Sequence, residues 1–412
     1  MNVWDVFKAR GFFQQVTEEA DLVARSAAGP LTAYIGLDPT ADSFHAGHLI
    51  PLMSLVHFQR AGHRPIALLG AGTAMIGDPT GKNEMRKLLT VEQLDGNALA
   101  LRAQIARLLD FQHPDPARRA ILANNADWLR TLNYIEFLRT IGPHFSVNRM
   151  LTFETFRVRM ETGLSFIEFN YPLLQSYDFL ELYRRYGCVL QMGGDDQWAN
   201  IISGVDLVRR MERAQVFGWT FPLLTTASGA KMGKTEQGAV WLDANKTSPY
   251  DFYQYWINVE DADVPRFLRL FTVLPLDEIA ELEKLRDADT RKSKGVLAFE
   301  VTKLIHGEEE AQRAQAGARA LFGGGGDLGD VPTTSIPAAR LDGGIQVAVL
   351  LAETGLAKTT SEARRLIGQG AVYIDDWKVP DPSHGLMRAQ VTNGAILLRV
   401  GKKKFHRVVV EW

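Results

Sequence analysis

A short histidine motif is the first candidate for chemistry in this sequence. Residues 45–48 read His-Ala-Gly-His, so the two imidazoles lie one helical turn apart on the same face of a helix that begins there. Gly47 carries no side chain, which lets a ligand approach the backbone, and the amino end of a helix favours phosphate. The motif could therefore bind phosphate and ribose oxygens, but in isolation it is as often a pair of histidines that cap or pack a helix.

A lysine motif further along the chain could act on the same kind of ligand. It reads Lys231-Met232-Gly233-Lys234-Thr235 and follows the apolar segment 221–224. A loop of this kind can bring two cations onto a triphosphate as negative charge develops on the leaving pyrophosphate. Taken alone, it is more commonly an ordinary solvated loop.

The glycine-rich segments do not match two common nucleotide-binding motifs. Gly77 and Gly229 each stand one residue too close to the following Gly-Lys pair for a P-loop. The segment Gly70-Ala-Gly72 does not continue as a dinucleotide fingerprint, because Met75 occupies the third glycine position. Nicotinamide chemistry is therefore disfavoured.

A strand–helix–strand unit must position the histidine motif. Residues 32–37 are typical of a buried strand, which ends at turn-forming residues 38–40. Apolar residues at 49, 52, 53 and 56 then follow the spacing of one helical face, and Gly62 precedes a second strand at 66–69. Such a parallel unit has a right-handed crossover and binds ligands at the carboxyl ends of its strands.

A second unit of this type is predicted from a strand at 188–192, a loop at 193–197 and a helix marked by apolar positions 201, 205 and 208. The two loops should face one crevice. The intervening residues 91–187 are mostly helical in pattern and too long for one crossover, which indicates an inserted subdomain. Residues 249–322 are again helical in pattern.

The C-terminal part of the chain differs in composition. Four glycines at 323–326 begin a segment rich in Asp, Pro and Thr that runs to Gly344, and it is predicted to be a flexible linker. Residues 345–412 hold more Lys and Arg than Asp and Glu, although the whole chain has a net charge of -2. A basic C-terminal segment that follows a more acidic part of the chain suggests a polyanionic partner. An ordinary basic, solvated surface is an equally common explanation of this charge.

Length and composition also exclude several classes of protein. With 412 residues, 46% of them hydrophobic, the chain can bury a large core and form two or three domains. Its single cysteine, Cys188, excludes an intrachain disulfide and a cysteine cluster for zinc, as is typical of a reducing compartment. Residues 1–11 do not match a signal peptide, and no stretch is long and uncharged enough to span a bilayer. We therefore expect a cytoplasmic protein with no membrane association.

The histidine and lysine motifs together resemble the paired signatures of class I aminoacyl-tRNA synthetases. Further segments are similar to those of bacterial-type tyrosyl-tRNA synthetases, in one order over nearly the whole chain, at residues 34–42, 76–81, 171–178 and 193–198. The resemblance implies that the chain activates L-tyrosine with ATP and transfers the tyrosyl group to tRNA(Tyr). Ala46 and Gly233 depart from the commonest forms of the signatures, which have isoleucine and serine there, and we expect little harm from either, although Gly233 should make the open loop more mobile.

The resemblance assigns one group of residues to tyrosine. Tyr34 and Asp178 would hydrogen-bond the substrate phenol, and a phenylalanine substrate would leave both unpaired in a buried pocket, a discrimination for which tyrosyl-tRNA synthetases are themselves the established example. Asp78, Tyr171 and Gln175 would hold the substrate ammonium. Thr73, Asn124 and Gln197 are assigned to the same site.

The resemblance assigns a second group to ATP and to catalysis. The nucleotide would contact Gly36, Asp38, Thr40, His45, Gly47, His48 and Gly194, with Asp196 on the ribose hydroxyls. The pyrophosphate would contact Lys82, Arg86, Lys231, Lys234 and Thr235. Because the substrate carboxylate attacks the α-phosphorus directly, catalysis would come from positioning and charge stabilisation. Mg²⁺ should accompany ATP, and no tightly bound metal is expected.

The resemblance also implies the domain plan, an α/β fold. A Rossmann-like parallel-sheet catalytic domain is expected at 1–248, with a helical insertion and homodimer region at about 91–187. A helical domain on the anticodon side at 249–322, the linker at 323–344 and a small α+β RNA-binding domain of the alpha-L type at 345–412 would follow. The last domain would bind the anticodon stem and variable arm of the tRNA through residues such as Arg364 and Arg365 and the lysines at 402–404.

Other readings remain open at this point. A tryptophanyl-tRNA synthetase shares both signatures, but Tyr34 with Asp178 and the basic tail favour a phenol. A small nucleotidyltransferase with a similar histidine motif would lack the length, the lysine motif and the tail. A non-catalytic RNA-binding paralogue would normally have lost signature residues, whereas both histidines and both lysines are present.

Overall fold

The computed structural model describes residues 2–80, 89–229, 232–235, 238–323, 331–375, 377–391, 394–401 and 404–411. The chain divides into two units, Met1–Lys246 with Val259–Ser293, and Thr247–Asn258 with Lys294–Trp412.

A six-stranded sheet forms the centre of the first unit. Its strands are β1 (Gln15–Val16), β2 (Thr32–Leu37), β3 (Arg64–Leu69), β4 (Ile121–Asn124), β5 (Leu190–Gly194) and β6 (Phe217–Phe221), in the order β1-β6-β5-β2-β3-β4. Strands β2 to β6 pair in parallel, and the two-residue strand β1 joins the edge antiparallel. The expected α/β fold with a parallel sheet is confirmed.

The strand order reverses between β2 and β5. From β2 the chain adds β3 and β4 on one side, then returns to place β5 and β6 on the other. In open parallel sheets, a crevice forms outside the carboxyl ends of the strands at such a reversal, and ligands bind there. The two predicted loops, 38–48 and 193–197, both lie at these strand ends.

Helices make up most of the rest of the first unit, and α3 (Leu49–Arg60) and α11 (Trp198–Glu212) pack against the sheet. The helices are α1 (Val3–Arg10), α2 (Glu19–Ala27), α3 (Leu49–Arg60), α4 (Val91–Ile105), α5 (Ala126–Leu129), α6 (Tyr134–Thr140), α7 (Val147–Met150), α8 (Glu154–Thr162), α9 (Phe166–Phe169), α10 (Tyr171–Tyr186), α11 (Trp198–Glu212), α13 (Val264–Phe271) and α14 (Leu276–Leu282). The strand at 32–37 and the helix that follows it occur where the sequence predicted them. No helix among the described residues has the length and apolar character needed to cross a membrane.

The inserted region differs from the prediction at one place. Residues 91–187 are largely helical, but residues 121–124 form β4, which pairs with β3 in the central sheet. Its run of apolar residues is too short to identify as a strand from sequence periodicity. Helix α4 is therefore the crossover between β3 and β4, and the helical insertion begins after β4.

The second unit combines helices with a second sheet. It contains α12 (Pro249–Ile257), most of α15 (Thr290–His306), α16 (Glu308–Gly323), α17 (Val347–Glu353) and α18 (Thr360–Gly368). Its five-stranded sheet has the order β12-β11-β14-β15-β9, with β9 (Thr333–Pro337), β11 (Val372–Ile374), β12 (Trp377–Lys378), β14 (Ala395–Val400) and β15 (Lys404–Glu411). The pair β10 (Ile345–Gln346) and β13 (Gly385–Leu386) completes it.

Two predicted boundaries need correction. Residues 333–337, placed in the flexible linker 323–344, form β9, which pairs in parallel with β15. A strand with alternating polar positions at the edge of a sheet gives little signal beside a run of glycines. Residues 249–322, predicted as one helical domain, are divided between the two units, because α13 and α14 belong to the first.

Arg10 joins α1 to the end of α13 in the first unit. Its side chain is buried, and its guanidinium donates hydrogen bonds to the carbonyls of Arg269 (3.0 Å), Thr272 (3.0 Å) and Leu274. The last carbonyls of a helix have no partner within the helix, so these bonds satisfy groups that would otherwise be buried unpaired.

We expect Arg10→Met to lower the free energy of unfolding of the first unit by on the order of 3 kcal/mol, because buried carbonyls lose a charged donor. Lys8→Met on the same helix is the control, since Lys8 forms an exposed ion pair with Glu19 worth less than about 1 kcal/mol. Urea unfolding followed by tryptophan fluorescence measures both variants. Equal effects of the two substitutions would contradict this role of Arg10.

Candidate active site

Asp38 follows β2 and connects three parts of the crevice. Its Oδ1 accepts a hydrogen bond from Thr73 Oγ1 (3.1 Å), and its Oδ2 accepts one from Tyr171 Oη (3.3 Å). A side chain at Gly70 would overlap the Asp38 carboxylate, so glycine there is required for this arrangement. The sequence assigned Asp38 to ATP and the other two to tyrosine, and the structure brings all three into one hydrogen-bonded group.

Asp178, on α10, is a buried carboxyl group held by two donors. Its Oδ2 accepts from Asn125 Nδ2 (2.9 Å), and its Oδ1 accepts from Trp128 Nε1 (2.8 Å). The pKa of Asp178 is raised to about 8, chiefly by burial and to a smaller extent by the charges of Asp38 and Glu181, despite the lowering effect of these two hydrogen bonds. The group is thus fixed in position while its ionised form is energetically costly.

Tyr34, on β2, brings a second buried polar group to the same place. Its side chain is 1% exposed, and its ring centroid lies 5.4 Å from that of Phe179, the residue after Asp178. Burial raises the pKa of the Tyr34 phenol well above its usual value, and the nearby charge of Asp178 adds to this. Within the described residues, the Tyr34 hydroxyl has no hydrogen-bond partner. Because buried hydroxyls are normally paired, this one indicates the place of a polar ligand group.

Asn125 and Trp128 are site residues that the sequence analysis missed. Besides its bond to Asp178, Asn125 donates to Thr73 Oγ1 (3.0 Å) and accepts from the Gly72 amide (2.7 Å). The predicted Asn124 instead accepts from the amide of Ala126 at the start of α5 (3.0 Å). Asn125 follows the short strand β4, and such a strand gives no periodic signal that would assign its side chain to the crevice.

Asp78 and Gln197 meet across the strand reversal. Gln197 Nε2 donates to Asp78 Oδ2 (2.8 Å), and Asp78 Oδ1 also accepts from the Thr80 amide (2.9 Å). Gln175 is half-buried on α10, one helical turn after Tyr171. The predicted tyrosine-site residues thus come from both halves of the sheet and from α10.

The two histidines cap a single turn of 3-10 helix, Ala46–His48, that precedes α3. His45 Nδ1 accepts a hydrogen bond from the Gly47 amide (3.1 Å), and His48 Nδ1 accepts one from the His45 amide (3.2 Å). The ring centroids are 4.1 Å apart. A neutral imidazole that accepts at Nδ1 carries its proton on Nε2, so each ring offers an Nε2–H donor. The capping role that the sequence left open is therefore compatible with binding phosphate or ribose oxygens.

The side chains predicted to bind the pyrophosphate fall only partly within the described residues. Lys82, Arg86 and Lys231 lie outside the described residues. The backbone of Lys234 and Thr235 forms β7, which pairs antiparallel with β8 (Gly238–Ala239).

The chain after β8 runs beside the histidine turn. The Ala46 amide donates to the Val240 carbonyl (2.8 Å), and the Leu242 amide donates to the Phe44 carbonyl (2.8 Å). His45 and Trp241 form the bridge between the two segments. The structure thereby brings the lysine motif's hairpin next to the histidine motif.

The remaining predicted nucleotide residues lie on the open side of the crevice. Thr40 and Asp196 are exposed, and a side chain at Gly36 would meet no atom within 4 Å. Gly194 leaves room for both the Asp196 carboxylate and the side chain of Leu223. Leu223 is 59% exposed and was not predicted, and an apolar surface there suits a planar base.

The crevice therefore combines two chemical environments. A buried part brings the Tyr34 hydroxyl near the Asp178 carboxyl, and a second part has the imidazoles of His45 and His48 beside the lysine hairpin. Within the described ranges, no group of three or more His, Cys, Asp or Glu side chains is arranged to hold a metal ion. Such a site can orient an aromatic hydroxyl compound and a phosphate ester against each other.

Comparisons with known proteins agree with this geometry. The family described as tRNA synthetases class I (W and Y) matches residues 26–323, and the Tyrosine--tRNA ligase SYY-like C-terminal domain matches residues 327–408. The tyrosine–tRNA ligase of Clostridium botulinum is 55% identical over 412 residues, and that of Caldanaerobacter subterraneus is 54% identical over 411 residues. Each match covers 100% of both chains.

Solved structures resemble the fold. A C-terminally truncated mitochondrial tyrosyl-tRNA synthetase of Aspergillus nidulans has a TM-score of 0.70 at 32% identity, covering 78% of this chain and 94% of its own. A tyrosyl-tRNA synthetase of Archaeoglobus fulgidus in complex with L-tyrosine has a TM-score of 0.56 at 16% identity, covering 76% of this chain and 100% of its own. The second likeness concerns the fold alone.

Asp178 gives the unfolding free energy a testable dependence on pH. The folded protein holds this proton up to about pH 8, whereas the unfolded chain loses it near pH 3.8, so the group destabilises the fold increasingly as pH rises between these values. Between these two pH values, the free energy of unfolding of wild type should fall by on the order of 5 kcal/mol relative to that of Asp178→Asn. Urea unfolding at a series of pH values measures the difference.

The control is Asp127→Asn, which removes an exposed carboxylate next to Trp128. Replacement of this exposed side chain should change the free energy of unfolding by less than about 1 kcal/mol. A pH-independent difference for Asp178→Asn would show that its carboxyl group titrates normally.

Proposed function

The chain belongs to the class I tRNA synthetases of the tryptophan and tyrosine group, and it is a tyrosine–tRNA ligase; on this premise we propose the role of each residue in its crevice. The enzyme activates L-tyrosine with ATP to give tyrosyl-adenylate and pyrophosphate, and then transfers the tyrosyl group to the 3′ end of tRNA.

The Tyr34 hydroxyl beside Asp178 is the observation that supports the substrate assignment. We propose that Tyr34 Oη donates to the phenolic oxygen of tyrosine, while the phenolic hydroxyl donates to the Asp178 carboxylate. A carboxylate has about four acceptor positions, so the bonds from Asn125 and Trp128 leave room for a third donor. The added bond favours the ionised form of Asp178, so tyrosine binding should lower the pKa of that group.

The other end of the substrate requires an anionic pocket. We assign the ammonium group of tyrosine to Asp78, Tyr171 and Gln175, with Thr73, Asn124 and Gln197 around them. The hydrogen bonds of Gln197 to Asp78 and of Tyr171 to Asp38 support this assignment, because they orient oxygen atoms without adding a competing cation.

In the activation step, the tyrosine carboxylate attacks the α-phosphorus of ATP, a bond forms from that oxygen to phosphorus, and pyrophosphate leaves. The His45 and His48 Nε2–H groups would bind phosphate and ribose oxygens, and Asp196 would accept from the ribose hydroxyls. The backbone at Gly36, Gly47 and Gly194 and the side chain of Thr40 would lie against the nucleotide. The cations Lys82, Arg86, Lys231 and Lys234, with Thr235, would stabilise charge on the pyrophosphate.

Magnesium enters this proposal as part of the nucleotide substrate. Mg²⁺ ordinarily keeps several water ligands and binds through phosphate oxygens with few protein ligands. ATP would therefore bring the ion with it, and the residues of the crevice would act on the phosphate groups.

The C-terminal domain would contribute to binding of the tRNA. Arg364 and Arg365 are exposed on α18, and basic side chains bind phosphates with an affinity that falls with salt. The anticodon stem and variable arm of tRNA(Tyr) remain our proposed target for this domain. Because charged tRNA is consumed in translation, we also retain the cytoplasm as the proposed location.

A second copy of this chain is the proposed partner of the helical insertion. Large apolar side chains are exposed there over a short stretch, namely Tyr134, Ile135, Leu138, Val147, Val158, Met160 and Phe166. Exposed apolar residues that cluster in this way mark interaction surfaces. A homodimer that buries them is consistent with a closed, two-fold interface.

The catalytic assignment is tested by exchange of labelled pyrophosphate into ATP. Tyrosine should support the exchange, and tryptophan should not, because the larger indole has no hydroxyl for Tyr34 and Asp178. Exchange with tryptophan but not with tyrosine would overturn the substrate assignment. No exchange with either would favour a non-catalytic RNA-binding protein.

Tyr34→Phe should weaken tyrosine binding by about 1 kcal/mol, since it removes one hydrogen bond to the phenol, and should leave phenylalanine binding unchanged. The thermal stability of the free enzyme should not fall, because the removed hydroxyl has no partner among the described residues. Equilibrium dialysis and thermal melting measure the two effects.

Tyr250→Phe is the matched control, because it removes a buried hydroxyl of the second unit. It should not change the affinity for tyrosine. The proposal fails if both variants bind tyrosine as tightly as wild type does.

A further inference from the structure

Two segments far apart in the sequence form one backbone assembly in the crevice. The histidine turn consists of residues 44–48, and the lysine hairpin is described at residues 232–235 and 238–242. Besides the two hydrogen bonds between residues 240–242 and residues 44–46, the Val240 amide donates to the Gly233 carbonyl (3.0 Å). The hairpin is therefore held both to the histidine turn and across its own two strands.

Two glycines also lie at the contact between the two segments. Gly233 has a left-handed backbone conformation with φ of +77°, and a Cβ atom there would overlap the amide nitrogen of Gly47 and lie 3.1 Å from His45 Nδ1. In the other direction, a Cβ atom on Gly47 would lie 2.9 Å from the carbonyl oxygen of Met232. At Gly233 the nearest obstructing atom, the Gly47 amide nitrogen, belongs to the backbone, so rearrangement of side chains alone cannot make room there.

Gly229 in the preceding segment provides an internal comparison. Its φ of +81° is almost the same as that of Gly233, but a Cβ atom there would meet no atom of the described residues within 4 Å. The backbone strain of a side chain should thus be similar at the two positions. The overlap with the histidine turn distinguishes Gly233.

We propose that Gly233 is a positioning residue for the activation step: contact of its backbone with Gly47 sets how closely the lysine hairpin approaches the histidine turn, and thereby where the motif's lysines meet the pyrophosphate. This inference rests on the proposed function of the two motifs. A side chain at Gly233 forces the hairpin and the histidine turn apart by about 1 Å, and a misplacement of that size in an active site can reduce the rate about a hundredfold.

For serine at position 233, the structure and the sequence lead to opposite expectations about activity. The sequence suggested that glycine or serine at position 233 would differ little. In this chain the overlap with the Gly47 amide predicts that Gly233→Ser and Gly233→Ala both impair activation.

The test compares Gly233→Ala with Gly229→Ala in the full-length enzyme. Rapid-quench measurement of tyrosyl-adenylate formation should show about a hundredfold loss for Gly233→Ala and a nearly unchanged rate constant for Gly229→Ala. Tyrosine affinity should be unchanged in both. Transfer of tyrosine from preformed adenylate to tRNA, which no longer involves pyrophosphate, should also be unchanged, whereas general damage to the crevice would slow both steps.

Three results would overturn the inference: wild-type rate constants in both variants, equal losses in both, or an equal loss in the activation and transfer steps of Gly233→Ala. The underlying function is judged separately on the wild-type enzyme. If wild type itself supports no tyrosine-dependent pyrophosphate exchange, the proposed function fails rather than the role of Gly233.

Discussion

A carboxyl group that is buried without a cation must be surrounded by hydrogen-bond donors, and this constraint shapes the centre of the crevice. Asp178 has Asn125 and Trp128 as donors, yet its pKa is still raised to about 8. Tyr34 lies beside it with a buried hydroxyl. Such a pocket is incomplete without a ligand that offers both a donor and an acceptor. A phenol meets both needs with one oxygen atom, whereas a benzene ring meets neither.

The sheet explains why this pocket lies beside the phosphate-binding motifs. Tyr34 lies within β2 and the histidine turn follows that strand, so a few residues of one chain segment separate the two environments. Asp38 lies between them and links the turn after β3 to α10 through Thr73 and Tyr171. The amino acid and the nucleotide are thereby held by a single rigid framework. An enzyme that needs no nucleophile of its own can achieve catalysis by such positioning.

Local pattern was sufficient to predict much of this framework. The strand at 32–37 and the helix after it have strong periodicity and clear turn residues, and both were predicted closely. Strands β4 and β9 were missed, because four or five residues with little alternation depend on pairing with distant strands. Asn125 was not predicted, because its contact with Asp178 depends on how the sheet orients the segment after β4. The contact between Gly47 and Gly233 joins segments almost two hundred residues apart, so no local pattern contains it.

We propose that Tyr34 and Asp178 together bind the hydroxyl of the substrate. A crystal structure of the enzyme with bound L-tyrosine tests this proposal. The phenolic oxygen should lie within hydrogen-bond distance of both Tyr34 Oη and a carboxylate oxygen of Asp178, with the amino group towards Asp78 and Tyr171. Tyrosine bound with its hydroxyl away from Tyr34 and Asp178 would contradict it.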